Sequence, residues 1–248
     1  MTELDILNEF LLYPLNSVDA IMERFASLPN AVRKKGEDEQ QEFVFVPGNR
    51  KDAATLVAHA DTHKRFSDYA KHEFKDPRAN GIIESTTTDC GIGADDRAGC
   101  AILWLLKDSG HHLLITDGEE CGQKGVKWLI EKFSDIAEII QNSSFIVQFD
   151  KNNATDCKFY DIPVSEEFKE YIRQETDYMD VGKDNRKTDI VALCGNSCCG
   201  VNLSVGYYDE HTSKERLNIE EWSNTLKIAR KMLSKPLKRF SVMNGIEK

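Results

Sequence analysis

Apolar residues at Leu4, Ile6, Leu7, Phe10 and Leu11, then at Val18, Ile21, Met22 and Phe25, recur at helical spacing, and Pro14 divides the two groups. Two helices over residues 3–28 are expected, covering one face of a sheet. A polar, charged link runs from Lys34 to Glu42. FVFVPG and ATLVAHAD are short apolar runs separated by a Pro-Gly turn and read as paired strands. From Thr62 to Gly93 the chain is polar apart from the Gly81-Ile82-Ile83 island, and so long a connection in a compact domain is more often functional than featureless. Beyond it the pattern alternates. Asp96 to Leu106 reads as helix, HHLLIT as strand, Gly125 to Phe133 as helix, SFIVQF as strand and Ser165 to Thr176 as helix. KTDIVALC and GVNLSVGYY then read as strands, and Ile219 to Leu233 as an amphipathic helix. This alternation predicts an α/β fold, a three-layer α/β/α sandwich with a mixed, mostly parallel central sheet. No repeat, low-complexity tract or Pro/Gly/Ser linker divides residues 1–248, so a single domain is expected.

Composition narrows the class. With 248 residues, 40% hydrophobic, the chain can bury a full core, which excludes disordered and fibrous classes. No apolar stretch approaches the roughly 18 residues a membrane span needs. Asp and Glu number 42 against 32 Lys and Arg, a net charge of −10 without a local basic patch, so neither nucleic acid nor a membrane is an expected partner. The same charge favours neutral or basic substrate ends. The MTELDILNEFLL start carries acids where a secretory signal would carry bases, and the odd count of 7 cysteines includes the adjacent Cys198 and Cys199, too close for an easy bridge. Free thiols and a cytoplasmic location are expected. Cys194, Cys198 and Cys199 lie among apolar strands and read as core rather than as a soft metal site.

In an open α/β sheet, ligands bind at the carboxyl ends of strands. The residues just beyond the apolar runs are His59 and Asp61, Asp95 and Asp96, Glu119 and Glu120, Asp150, and His211. One polar residue at a strand end is unremarkable, because strand ends meet solvent. Several ends that all offer His or carboxylate form a nitrogen and oxygen donor set suited to zinc, cobalt or manganese. The inventory exceeds one tetrahedral ion and suffices for two metals if one carboxylate bridges. Asp61, two positions after His59, lies on the same strand face and can hold the second imidazole nitrogen. Glu119 and Glu120, being adjacent, point differently, so one can bind metal while the other accepts a proton from metal-bound water.

The segments VAHAD, GIGADDRAGC, TDGEECGQKG, VQFD and GYYDEHTSKE, in this order, resemble the metal-site motifs of the di-zinc exopeptidase clan, which includes secreted bacterial aminopeptidases, tripeptidase T and glutamate carboxypeptidases. The resemblance implies two zinc ions, replaceable by cobalt or manganese. By it His59, Asp95, Glu120, Asp150 and His211 are the ligands, with Asp95 bridging, Glu119 is the general base and Asp61 the orienting residue. It also implies a cis peptide between Asp95 and Asp96, and close packing of the helix at Ala98 and Gly99. Asp150 and His211 are only 61 positions apart, which leaves no room for the dimerisation or lid domain that some members insert there.

The activity so implied is hydrolysis of a peptide or amide bond at one end of a small substrate, by a monomer whose pocket is walled by the Thr62–Gly93 and Phe159–Thr188 segments. Alternatives are a glutaminyl-cyclase-like acyltransferase with a single zinc and a non-peptidase amidohydrolase or deacylase. Thr188-Asp189 is a further candidate pair at the site, His63 and His72 are loop residues that border it or are solvated, and a hydroxyl of Tyr207 or Tyr208 reaches an oxyanion unless these rings only pack.

Overall fold

The computed structural model describes residues 1–66, 68–69, 72–75, 80–182 and 187–243. The first two helices are α1 (Glu3–Leu11) and α2 (Asp19–Ala26), and their buried faces carry Ile6, Leu7, Phe10 and Leu11, then Ile21, Met22 and Phe25, as the spacing predicts. Thr2 starts α1 with a reciprocal cap, its hydroxyl accepting the Asp5 N–H at 3.1 Å while the Asp5 carboxylate accepts the Thr2 N–H at 2.7 Å.

An 8-stranded sheet contains β1 (Val32–Lys35), β2 (Glu42–Val46), β3 (Thr55–His59), β5 (His112–Thr116), β6 (Ile146–Lys151), β7 (Asp156–Lys158), β8 (Met179–Asp180) and β9 (Gly200–Ser204), in the order β1-β2-β5-β3-β6-β9-β7-β8. Its centre, β5-β3-β6-β9, is parallel. β1 and β2 run antiparallel along one edge, and β7 antiparallel to β9 near the other. A 3-stranded antiparallel sheet holds β4 (Ile82–Glu84), β10 (Tyr207–Tyr208) and β11 (Arg216–Asn218).

Helices cover both faces of the large sheet. On one side α3 (Ala94–Leu105) lies on β3 and β6 with α1 against it, and α8 (Ile219–Leu233) is tied to α3 by a hydrogen bond from Trp222 Nε1 to the Ala98 carbonyl at 3.0 Å. On the other, α4 (Lys124–Lys132) lies on β2, α7 (Asp189–Cys194) on β6 and β9, and α5 (Ser134–Gln141) against both helices. The expected three-layer α/β/α architecture is the one observed. A Cβ added at Gly99 would lie 2.2 Å from the Phe149 carbonyl oxygen, so α3 approaches β6 to a distance that only glycine permits.

Three expectations need correction. FVFVPG and ATLVAHAD are strands but do not pair with each other, because β5 inserts between β2 and β3 and bonds to both. KTDIVALC is the helix α7. Its buried residues Ile190, Leu193 and Cys194 follow helical spacing, whereas Val191 and Ala192 are only half-buried. The charged stretch ahead of Glu42 is not all link, since Val32–Lys35 is an edge strand whose Arg33 and Lys35 pair with the buried Glu42 at 2.5 and 3.1 Å.

Candidate active site

The parallel strands β3, β5 and β6 end on one side of the sheet. His59 is the last residue of β3, with Asp61 two positions beyond. Glu119 and Glu120 follow β5 in the turn before α4. Asp150 lies near the end of β6, Asp95 opens α3, and His211 comes from the loop joining β10 to β11. His211 is in the left-handed backbone region, φ 63°, which is uncommon for a residue with a side chain. The Asp95–Asp96 peptide is cis.

Asp95 stands between the two imidazoles. Its Oδ1 is 3.1 Å from His59 Nε2 and its Oδ2 is 3.0 Å from His211 Nε2. Asp150 Oδ1 approaches His59 Nε2 at 3.5 Å, and Glu120 Oε1 approaches His211 Nε2 at 2.6 Å. Two donor trios result, His59/Asp95/Asp150 and Asp95/Glu120/His211, with Asp95 in both. Glu120 Oε1 and His211 Nε2 are buried and close, yet neither has a hydrogen bond of good geometry. Donor atoms that converge in this way, one imidazole and two carboxylates in each trio, fit a divalent cation. Further donors adjoin them, since His63 groups with Glu120 and His211, and Asp96 with His59 and Asp150. The His63 and His211 rings stack with centroids 4.5 Å apart.

Other residues hold the donors in place. Asp61 receives the backbone N–H groups of Glu119 and Glu120 at 3.2 and 3.1 Å, and its backbone oxygen lies 3.0 Å from His59 Nδ1. The Asp150 carboxylate accepts from Gln148 Nε2 and Thr188 Oγ1, each at 3.0 Å, and from the Tyr207 hydroxyl at 3.1 Å. Asp96 is fully buried and accepts the His59 N–H at 3.2 Å and the Gly99 N–H at 3.0 Å. The buried Glu215 accepts the N–H groups of Ile92, Gly93 and Asp95 at 2.9, 2.7 and 3.1 Å, and so shapes the turn that presents Asp95. The GYYDEHTSKE segment contains Glu215, but nothing in its spacing assigns it this work.

Electrostatics match the crowding of acids. Burial pushes Glu119 up to about 10, with the charges of Asp150, Asp189 and Asp95 adding to the effect. Burial, and then Asp95, also raises Asp150. Burial opposes charge on His211, but Asp95 and Glu120 outweigh it and raise the ring to about 10. Burial likewise raises Asp95, yet His211 and His59 overcome it and hold that carboxyl below its usual range. Acids crowded in this way can be balanced by protons or by cations.

A cavity of about 340 Å³ opens onto Glu119, Glu120, Asp95, Asp150 and His211. Its remaining wall includes Lys151, Asn152, Lys158, Tyr160, Lys187 and Thr188, of which only Thr188 is a candidate from sequence. Thr188 lines the cavity as expected. Asp189 does not: it is fully buried, receives a hydrogen bond from Thr116 Oγ1, and burial pushes it up to about 7. The Tyr207 hydroxyl is engaged by Asp150 and that of Tyr208 by Glu221. His72 is buried beside Leu11, away from the cavity. Within the Phe159–Thr188 segment residues 183–186 lie outside the described residues, as do residues 67, 70, 71 and 76–79 within Thr62–Gly93. All seven cysteines are free, and Cys194, Cys198 and Cys199 are buried in the core.

No protein-family model matches the sequence, and no curated protein matches it. Solved structures do match. The aminopeptidase PepT of Bacillus cereus is 13% identical, over 94% of this chain and 98% of that one, with a TM-score of 0.71. The TET1 peptidase of Pyrococcus horikoshii is 13% identical over 95% and 100%, with a TM-score of 0.63, and the glutaminyl cyclase of an Acidobacteriales bacterium is 11% identical over 93% and 92%, with a TM-score of 0.64. The chain thus has the fold shared by these two peptidases and by the glutaminyl cyclase. The TET1 peptidase assembles into a tetrahedron or a large octahedral shell, so the fold lends no support to the expected monomer. Among the described residues no helix is long and apolar enough to cross a membrane.

Proposed function

We propose that this chain is a metal-dependent hydrolase that cleaves a peptide or amide bond at one end of a small peptide-like substrate. The observation that carries this reading is the Asp95 carboxylate, with one oxygen facing His59 and the other facing His211. His59, Asp95 and Asp150 would hold one divalent ion, and Asp95, Glu120 and His211 a second, with zinc the metal that suits the donors and cobalt or manganese substitutes for it. If bound there, such ions would supply polarisation of a carbonyl and a lower pKa for water, from 15.7 towards about 7.

The protein's own groups perform the remaining steps. Glu119 lines the cavity next to Glu120 and, among the described residues, belongs to none of the converging donor groups. Two divalent ions beside it would offset the neighbouring acids that raise its pKa, leaving an ionised carboxylate able to accept a proton from the attacking water and return it to the leaving amine. Asp61 fixes the Glu119-Glu120 peptide and the His59 ring together. A cavity of about 340 Å³ accommodates the end of a short chain rather than a long polypeptide, which favours exopeptidase over endopeptidase action. Residues 1–248 would act as one catalytic domain, and seven free thiols favour a reducing, cytoplasmic setting.

The test is hydrolysis of aminoacyl, peptidyl and N-acyl amides by zinc-reconstituted protein. Release of one terminal residue at a time supports the reading, and rapid internal cleavage of an unfolded protein refutes the exopeptidase part of it. The similarity to glutaminyl cyclase keeps a single-zinc acyl transfer as the second reading. Two ions at full occupancy favour hydrolysis, and one ion with cyclisation of an N-terminal glutamine favours the alternative.

A further inference from the structure

Two further donors adjoin the proposed metal pair, Asp96 beside His59 and Asp150, and His63 beside Glu120 and His211. Their surroundings set them apart. Both oxygens of Asp96 are committed, Oδ2 to the His59 N–H at 3.2 Å and Oδ1 to the Gly99 N–H at 3.0 Å, so Asp96 braces the backbone behind the first trio. His63 is held more loosely. Its Nδ1 accepts the Arg65 N–H at 3.3 Å, a long and solvent-exposed hydrogen bond that water can replace when the ring turns to an ion. A nitrogen of this ring lies within 4.8 Å of donor atoms of both Glu120 and His211. Donors on one zinc ion stand roughly 2.0–2.2 Å from it, so they are at most about 4.4 Å from each other, and side-chain movement on the order of 1 Å brings His63 into that range. The His63 and His211 rings also stack, centroids 4.5 Å apart and planes 18° from parallel, so imidazoles from two separate loops stand side by side at one carboxylate. The same loop grips His211 a second time, because the Arg65 guanidinium donates to the His211 carbonyl at 3.2 Å. His211 needs such support, since its side chain is 41% exposed and its backbone is left-handed.

We infer that His63 is a fourth protein ligand of the second metal position, which makes the two positions unequal. The inference rests on the metal-dependent reading and adds a residue that none of the five motif segments contains. His59, Asp95 and Asp150 leave the first position with three protein ligands and an open place for water, the pattern of a catalytic ion. His63, Asp95, Glu120 and His211 close the second position, as the ligands of a structural zinc ion do. An imidazole supplies this extra donor without adding negative charge to a neighbourhood already crowded with carboxylates. The second position therefore fills first and retains its ion, and the activity responds to free metal through the first.

Zinc titration of the metal-free protein against a chelating dye tests this without recourse to turnover. Wild type is expected to bind two ions in separate steps. His63→Phe keeps a flat ring over His211 and removes its nitrogens, so it should weaken the tighter step at least ~10-fold and leave the other unchanged. His63→Asp restores a donor and should recover most of that loss. Unchanged steps in His63→Phe, or an equal loss in both variants, would overturn the inference. If His63→Phe does not fold, nitrogen NMR of the wild type decides. Of its 6 histidines, three, His59, His63 and His211, should take metal-bound shifts when two zinc ions are added, and a spectrum in which only two shift counts against His63. Two ions bound with His63 untouched would refute this ligand alone, whereas a protein that binds no ion would refute the metal-dependent reading along with it.

Discussion

Asp61 and Glu120 are joined through the backbone, with Asp61 Oδ2 accepting the Glu120 N–H at 3.1 Å. The other oxygen accepts the Glu119 N–H at 3.2 Å and lies 3.3 Å from His59 Nδ1. One carboxylate thus orients a ring of the first donor trio and the peptide that carries the second trio's carboxylate and the proposed base. Asp61→Ala removes all three contacts and leaves His59 Nδ1 only the Asp61 backbone oxygen. Metal affinity should fall about 10- to 100-fold, as read by competition with a chelating dye, and an unchanged affinity would show that the contact is dispensable.

Glu119→Gln keeps the shape of the side chain and removes its basicity. Metal content by elemental analysis should stay that of the wild type while kcat falls roughly 10²- to 10⁴-fold. A fully active Glu119→Gln protein would assign the base elsewhere.

Metal should also stabilise the fold, because Asp95, Glu119, Glu120 and Asp150 converge on one small volume. Free zinc at 100 times its dissociation constant adds about 2.7 kcal/mol per site, so the melting temperature should rise with zinc and drop on chelation. Two zinc ions per chain are expected, and saturation at one would remove the shared-ligand arrangement.

Acid should act through His72. Its Nε2 donates to the Leu11 carbonyl at 2.6 Å, its buried Nδ1 has no hydrogen-bond partner among the described residues, and burial pushes its pKa down to about 4. Between that value and its ordinary 6.5 the unfolded chain binds a proton that the folded chain refuses, so this group's contribution to stability falls as pH drops through the window and is constant above it. Urea unfolding at pH 7.5 and pH 5 should show wild type losing about 2 kcal/mol more than His72→Gln. Equal losses would rule His72 out as the cause.

Gly99→Ala places a methyl group 2.2 Å from the Phe149 carbonyl oxygen and 2.4 Å from Asp96 Oδ1. Neither neighbour is a flexible end, so α3 must shift from β6, at a cost of about 1–3 kcal/mol in urea unfolding. Asp95 and Asp96 begin the same helix, so metal affinity should weaken alongside stability.

The features legible in the sequence are those that a few neighbouring residues encode. The stripes of α1, α2 and α8 need only helical spacing, and Ile219–Leu233 has the boundaries its pattern predicts. The candidate ligands were legible because each stands in a short motif, and five such motifs stand in one order. Tertiary structure decided what depends on partners distant in the chain. Strand β5 separates β2 from β3, and no local pattern encodes which strand will insert between two others. KTDIVALC could serve as strand or helix by composition, and burial of one side against β6 and β9 selects helix. Glu215 finds Asp95 across 120 positions, and Lys158 meets the wall of the cavity only through its register with Asn202. Periodicity records which side of an element is buried. Only the packed chain brings charges together from separate elements, and that juxtaposition crowds Asp95, Asp150 and Asp189 around Glu119.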